Sequence, residues 1–223
     1  MSTRIIKILV GPEETPFYIH EGILTARSEF FEDAIRQGSW KESNTRTVKF
    51  PEDNLKMFAL YMQLAYTGVI SPVYYGDNSR GRTHMICSCD HPEYFAEEYE
   101  SLCRLYVFSE KVRDVNAKKA TLSALISKIN QELLDRCDLR DPKDTKYLPG
   151  AKAINIMYGG TMEHDVGRMV LVDCYVKVGS GMPWGKPDIE VVDVEFLKDL
   201  VKNFLAMPSK SLRLSAADYM KEC

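Results

Sequence analysis

No apolar run in this sequence approaches the roughly 20 residues that a membrane-spanning helix needs. A basic excess is missing too: 29 Lys and Arg stand against 32 Asp and Glu in 223 residues, a formal charge of −3. The first absence speaks against a membrane protein. The second speaks against nucleic-acid binding, which draws on a basic stripe. The amino terminus, Met1-Ser2-Thr3-Arg4, leads straight into a short apolar segment and lacks the layout of a signal peptide. A cytoplasmic or nuclear protein is the expectation. Cysteine is sparse: Cys87, Cys89, Cys103, Cys137, Cys174 and Cys223 are spread too thinly for a disulfide framework. Catalytic signatures are absent as well. There is no G-x-S-x-G, and Gly179-Ser180-Gly181 lacks the lysine and following helix of a phosphate loop. An enzyme is not expected, and no catalytic residue is assigned.

What is present is a chain 45% hydrophobic and 27% charged, an ordinary globular composition. Its length suits one large domain, or a domain of ordinary size with an appendage. Ile5 to Val10 (IIKILV) is β-branched and closed by Gly11-Pro12, which predicts a strand ending in a turn. Phe17-Tyr18-Ile19 after Pro16 reads as its hairpin partner. From Glu21 the period changes from 2 to 3.6, with Ser28 as a cap between two short helices and Gly38 at the end of the second. Thr47 to Phe50 is a further strand. Asp53 or Asn54 then caps a helix carrying Leu55, Phe58, Met62 and Ala65, widened by Met57, Tyr61 and Leu64 and ended by Gly68. Val69-Ile70 adds a short extended piece.

Residues 71–98 have no sustained periodicity and read as a long loop, a kind that tends to be functional. Helices resume at Tyr99, with Leu102, Leu105, Tyr106 and Val112 on one side. Leu122, Leu125, Ile126, Ile129 and Leu133 form the next stripe. The Pro-bracketed, charged stretch 135–149 is the linker expected between a mixed α+β part and an all-helical part. In the latter, Ala151 to Tyr158 is stopped by Gly159-Gly160, and Thr161 caps a helix bearing Val166, Met169, Val170 and Cys174. A loop, residues 179–188, separates it from a last stripe of Leu197, Leu200, Val201, Phe204 and Leu205.

The run from Phe17 to Ile35, FYIHEGILTARSEFFEDAI, resembles the signature of the BTB/POZ family: a His leading into a helix, then a Leu, a small residue, Arg, Ser and paired aromatics. Here these are His20, Leu24, Ala26, Arg27, Ser28, Phe30 and Phe31. Gly-Ser-Trp-Lys-Glu-Ser (38–43), Val-Lys-Phe-Pro-Glu-Asp (48–53) and Ala-Tyr-Thr-Gly-Val-Ile (65–70) follow in family order. The likeness is close over 5–70 and looser over 99–130. It implies an α+β fold, a small β-sheet flanked by a cluster of helices, over residues 1–134. A linker (135–149) and a helical extension (150–223) follow. It also implies a protein–protein interaction module whose partners are other proteins. Family members that form strand-swapped dimers resemble one another in an Asp at the start of the first strand and a basic residue after the His. This chain has Arg4-Ile5 and Glu21 there, and only four residues precede Ile5. A monomer, or a homodimer formed another way, is therefore the expectation.

Three candidate sites stand out. His20 has no accompanying nucleophile and reads as a hydrogen-bonded residue at a strand-to-helix corner rather than a general base. Trp40-Lys41-Glu42 fits the apolar-x-Glu pattern of relatives that recruit the cullin scaffold of ubiquitin ligases. In that pattern an aromatic fills a pocket and a carboxylate pairs at its rim. This makes Trp40 and Glu42 partner-binding candidates and a substrate adaptor the alternative function; packing of Trp40 on its own domain is the competing reading. His84, Cys87, Cys89 and His91 put four zinc-type ligands within eight residues. The C-x-C spacing is tighter than a usual knuckle and no second knuckle follows. A solvated loop with two reactive thiols is preferred, no cofactor is assigned, and a zinc- or redox-responsive protein is the second alternative.

Overall fold

In the computed structural model the described residues are 4–36, 46–70, 92–135, 148–179 and 192–206. They begin with β1 (Ile5–Val10) and β2 (Thr15–His20), antiparallel in a register running from Ile5↔His20 to Val10↔Thr15. Gly11 makes the turn possible: its φ of +76° is open to glycine without strain, and its N–H donates to the Phe50 carbonyl at 2.9 Å. Two short helices follow, α1 (Glu21–Thr25) and α2 (Glu29–Arg36). They carry the chain across to β3 (Thr47–Phe50), which lies parallel to β1 with Lys7↔Thr47 and Val10↔Phe50 in register. The sheet order is β2-β1-β3. With a side-chain period of 2, Ile6, Ile8, Val10, Ile19, Val48 and Phe50 go to the core. Ile5, Tyr18 and His20 go to the outer face.

Helix α3 (Leu55–Thr67) starts where the Asn54 side chain accepts the N–H groups of Lys56 and Met57, at 2.9 and 3.2 Å. It ends at Gly68, left-handed at φ +72°, whose N–H donates to the Leu64 carbonyl. Its buried face is Met57, Phe58, Tyr61, Leu64 and Ala65, while Leu55 is exposed and Met62 half-buried. Val69-Ile70 is not a strand; the chain leaves the cap in irregular form. Helix α4 (Pro92–Lys111) begins well before Tyr99. Residues 92–98 thus belong to a helix, not to the long loop expected there. Pro92 needs no N–H partner in a first turn, and a sequence signal was there: Phe95 stands four residues before Tyr99 and seven before Leu102, on the spacing of the same stripe. Helix α5 (Val115–Asp135) follows a tight turn and carries buried Leu122, Leu125, Ile126 and Ile129.

The chain divides into two compact units, Met1–Ser71 with Arg104–Thr121, and Pro72–Cys103 with Leu122–Cys223. The core of the first is aromatic. Phe108 takes Phe50, Phe58 and Tyr61 at ring-centroid distances of 5.2, 5.7 and 5.1 Å, and Phe31 meets Phe50 edge-on. Such tilted pairs add about 0.5–1.5 kcal/mol each beyond the area they bury.

The second unit holds α6 (Ala151–Gly160), α7 (Val166–Gly179) and α8 (Val194–Ala206). Helix α6 runs through Gly159-Gly160 instead of stopping before them. Its end is fixed by Thr161 Oγ1, which donates to the Met157 carbonyl, and by Arg168, which donates to the Tyr158 carbonyl. Thr161 is spent there, so Asp165 caps α7 in its place, accepting the Gly167 N–H at 2.7 Å. Helix α7 is buried nearly all round at Val170, Leu171, Val172, Cys174 and Val176, with Met169 exposed. The expected stripe on α8 is also corrected. The helix turns Phe196 and Leu200 into the core and leaves Val201, Phe204 and Leu205 outside it. Of the expected linker, residues 136–147 lie outside those described.

Candidate functional site

The family-like residues from His20 to Phe31 act first as a lock on the fold. Ser28 N-caps α2: its Oγ accepts the Phe31 N–H at 3.2 Å and donates to the Val112 carbonyl. Next to it Arg27 sends Nε to Asp114 at 3.1 Å. Asp114 is fully buried, N-caps α5 through the Ala117 N–H at 2.8 Å, and accepts the Tyr61 phenol at 3.2 Å. Burial, reinforced by the adjacent Asp114 carboxylate, pushes the Tyr61 phenol well above its ordinary range. One carboxylate therefore ties together α2, α3 and the α4–α5 turn. Outside it, Arg113 at φ +53° reaches Glu29 and Asp33, a half-exposed pairing that adds a few tenths of a kcal/mol.

A second group of residues lies on the outer face of the sheet. His20 pairs with Ile5 across the strands, and Tyr18 lies two residues away on the same outer face of β2. The Tyr66 phenol oxygen accepts the His20 backbone N–H at 3.1 Å and stands 2.8 Å from its Nδ1, with the rings edge-to-face. Ile5, Tyr18 and Tyr66, joined by Val69 just past the α3 cap, are exposed by 44–60%. Scattered exposed apolar residues are ordinary, but Ile5, Tyr18 and Tyr66 all adjoin His20: Ile5 across the strands, Tyr18 two residues along β2 and Tyr66 by its hydrogen bond. β2 is an edge strand among the described residues, and Pro16 within it offers no N–H to a further strand.

His20 is thus where the sequence placed it, hydrogen-bonded at the strand-to-helix corner. Trp40 and Glu42 lie in 37–45, and His84, Cys87, Cys89 and His91 in 71–91, both outside the described residues. Cys103 and Cys174 are buried in α4 and α7. Among the described residues no cluster of His, Cys, Asp and Glu is arranged to hold a metal, and no helix is long and apolar enough to cross a membrane. The Asp114 hub and the Tyr66 contact were missed from sequence. The only signal for the patch was Tyr18, an aromatic on the outward phase of β2.

No curated protein matches the chain. A family model does: that of the BTB/POZ domain matches residues 6–79, about a third of the length. The matched segment contains the sheet, the Arg27-Ser28 corner and the helix ending at Gly68. BTB/POZ domains are protein–protein interaction modules, and the match identifies a BTB/POZ domain at residues 6–79 of this chain.

Proposed function

We propose that this chain is a non-catalytic interaction protein that binds another protein through the Ile5–Tyr18–Tyr66–Val69 corner of its BTB/POZ domain. The observation that carries the reading is the gathering of four exposed large apolar side chains at the His20–Tyr66 contact, in a domain type that works by docking. Aromatic side chains on a rigid strand and helix end bring contact area with little loss of rotamer freedom. The test is quantitative co-purification from cells with Tyr18→Glu and Val69→Glu, against Lys49→Glu as a control elsewhere on the surface. A partner lost in the first two and kept in the third supports the reading. A partner set unchanged in all three removes it.

A second reading is a substrate adaptor of a cullin-based ubiquitin ligase, supported by the Trp40-Lys41-Glu42 motif following the family signature. Trp40 fills a pocket on the scaffold and Glu42 pairs at its rim in this reading. Cullin pull-down with Trp40→Ala and Glu42→Lys tests it. Undiminished binding in both removes these two residues from the contact.

A further inference from the structure

Tyr66 and His20 touch twice. The phenol oxygen accepts the His20 backbone N–H at 3.1 Å and stands 2.8 Å from Nδ1 of the same residue. A phenol has one proton to donate. Donating it to Nδ1 gives that proton its one acceptor among the described residues, so neutral His20 carries its own proton on Nε2. Tyr66 is 44% exposed and His20 is exposed, so water reaches the pair without unfolding.

Histidine is the side chain whose charge ordinarily changes between pH 5 and 8. A proton arriving from solvent takes the Nδ1 lone pair, and both ring nitrogens are then donors. The bond has to reverse. Nδ1–H now donates to the phenol oxygen, which accepts two N–H groups, and the Tyr66 O–H turns out to solvent. This happens amid apolar side chains: Ile5 across the strands, Tyr18 two residues along β2, and Val69 just past the α3 cap. The charged groups on the elements round His20 are Arg4 and Lys7 on the β1 side and Glu21 at the start of α1. The last turn of α3, from Gln63 to Thr67, carries none.

We propose that His20 and Tyr66 form a proton-operated switch on this corner: a partner docks while His20 is neutral and leaves when it is protonated. The switch rests on the corner being the docking surface. A partner that covers Ile5, Tyr18, Tyr66 and Val69 also takes the imidazole out of water. The neutral ring, with Nδ1 already bonded, asks only for one acceptor at Nε2. The protonated ring brings a charge as well, which is costly to bury. A site that docks only with an ordinary histidine neutral weakens about tenfold between pH 7.5 and pH 5.5.

The test has two arms, both on the full chain. Nuclear magnetic resonance with labelled histidine ring nitrogens and tyrosine Cζ needs no partner. At pH 8 the His20 proton should sit on Nε2, and the Tyr66 Cζ resonance should step as His20 is protonated, with no step in His20→Gln. A proton on Nδ1 at pH 8, or a Tyr66 resonance that does not follow His20, overturns the proposal. In the second arm, the protein lost from co-purification by Tyr18→Glu is purified and its affinity for the chain measured at pH 7.5 and 5.5. The unchanged chain should bind it about tenfold more weakly at pH 5.5, and His20→Gln equally at both; His84, His91 and His164 are present in each. Equal affinity at the two pH values, tighter binding at the lower, or the same loss in His20→Gln overturns the switch and leaves the corner standing. A partner set that Tyr18→Glu does not change overturns the corner reading, and the switch with it. Should His20→Gln melt early, the first arm on the unchanged chain decides alone.

Discussion

Arg27 Nε and the carboxylate of Asp114 meet at 3.1 Å across 87 positions of chain, the arginine side chain 21% exposed and the aspartate fully buried. The asymmetry governs what each deletion does. Removing the cation leaves a buried charge with only the Tyr61 phenol and the Ala117 N–H. Removing the anion leaves a cation that still reaches water.

Arg27→Met is therefore expected to cost about 3–5 kcal/mol, and Asp114→Asn somewhat less, about 2–3 kcal/mol, from the weakened cap and the lost pairing. The double variant should cost clearly less than the sum, since neither remaining group is then a stranded charge. Urea denaturation of the four proteins checks this; strict additivity would mean that the pair is not coupled.

Alkaline pH should loosen the fold. Tyr61 and Tyr158 are pushed up first by burial and then by the neighbouring Asp114 and Asp199 carboxylates; Tyr175 is pushed up by burial. An unfolded tyrosine releases its proton near pH 10, while these keep theirs when folded. Above pH 10 the unfolded state thus binds fewer protons, and stability falls by up to about 1.4 kcal/mol per pH unit for each tyrosine. Below pH 10 this contribution is fully present. Tyr61→Phe should lower stability at neutral pH by about 1 kcal/mol, through the lost bond to Asp114. It should also flatten the alkaline slope, which denaturation at pH 8 and at pH 11 would show.

Local devices in this fold were legible from sequence. A Ser or Asn at a helix start and a Gly at its end act within a few residues, so Ser28, Asn54 and Gly68 announce themselves. The strand pair and its turn follow from β-branching and Gly11. The Arg27–Asp114–Tyr61 hub was not legible, because its members are brought together only by the packing of α2, α3 and the α4–α5 turn. Helix α8 misled for a different reason: it carries apolar residues on two faces, and periodicity alone does not say which of the two is core. Phe196 turns inward where Tyr158 and Tyr175 offer it rings, and Leu200, four residues on, is buried on the same side. On the candidate sites, His20 was placed from its corner position, whereas Tyr66, distant in sequence, gave no sign that it would hold it.

Purified protein is expected to carry well below one zinc per chain. Cys87 and Cys89, separated by a single residue, and both histidines come from one stretch, so tetrahedral closure would need a tighter turn than the usual C-x₂₋₄-C knuckle allows. Metal analysis after growth in zinc-supplemented medium checks this. A full equivalent that disappears with Cys87→Ser would instead establish the zinc-responsive alternative.

Arg168 gives the sharpest test of the second unit. Its Nε donates to Thr161 Oγ1 at 3.0 Å, Nη1 to Glu195, and Nη2 to the carbonyls of Tyr158 and Thr161, while its guanidinium lies 4.5 Å from the Tyr158 ring centroid. A lysine keeps the charge but not the planar fork, and it leaves buried carbonyls at the end of α6 without a donor. Arg168→Lys should therefore destabilise by about 2–4 kcal/mol despite conserving charge. Its partners all lie within α6, the loop after it, and α8. Amide exchange should accordingly speed up in Ala151–Gly160 and Val194–Ala206 while β1 and β3 keep their protection. Uniform acceleration through the strands as well would mean that Arg168 supports the whole chain's folding and not the second unit alone.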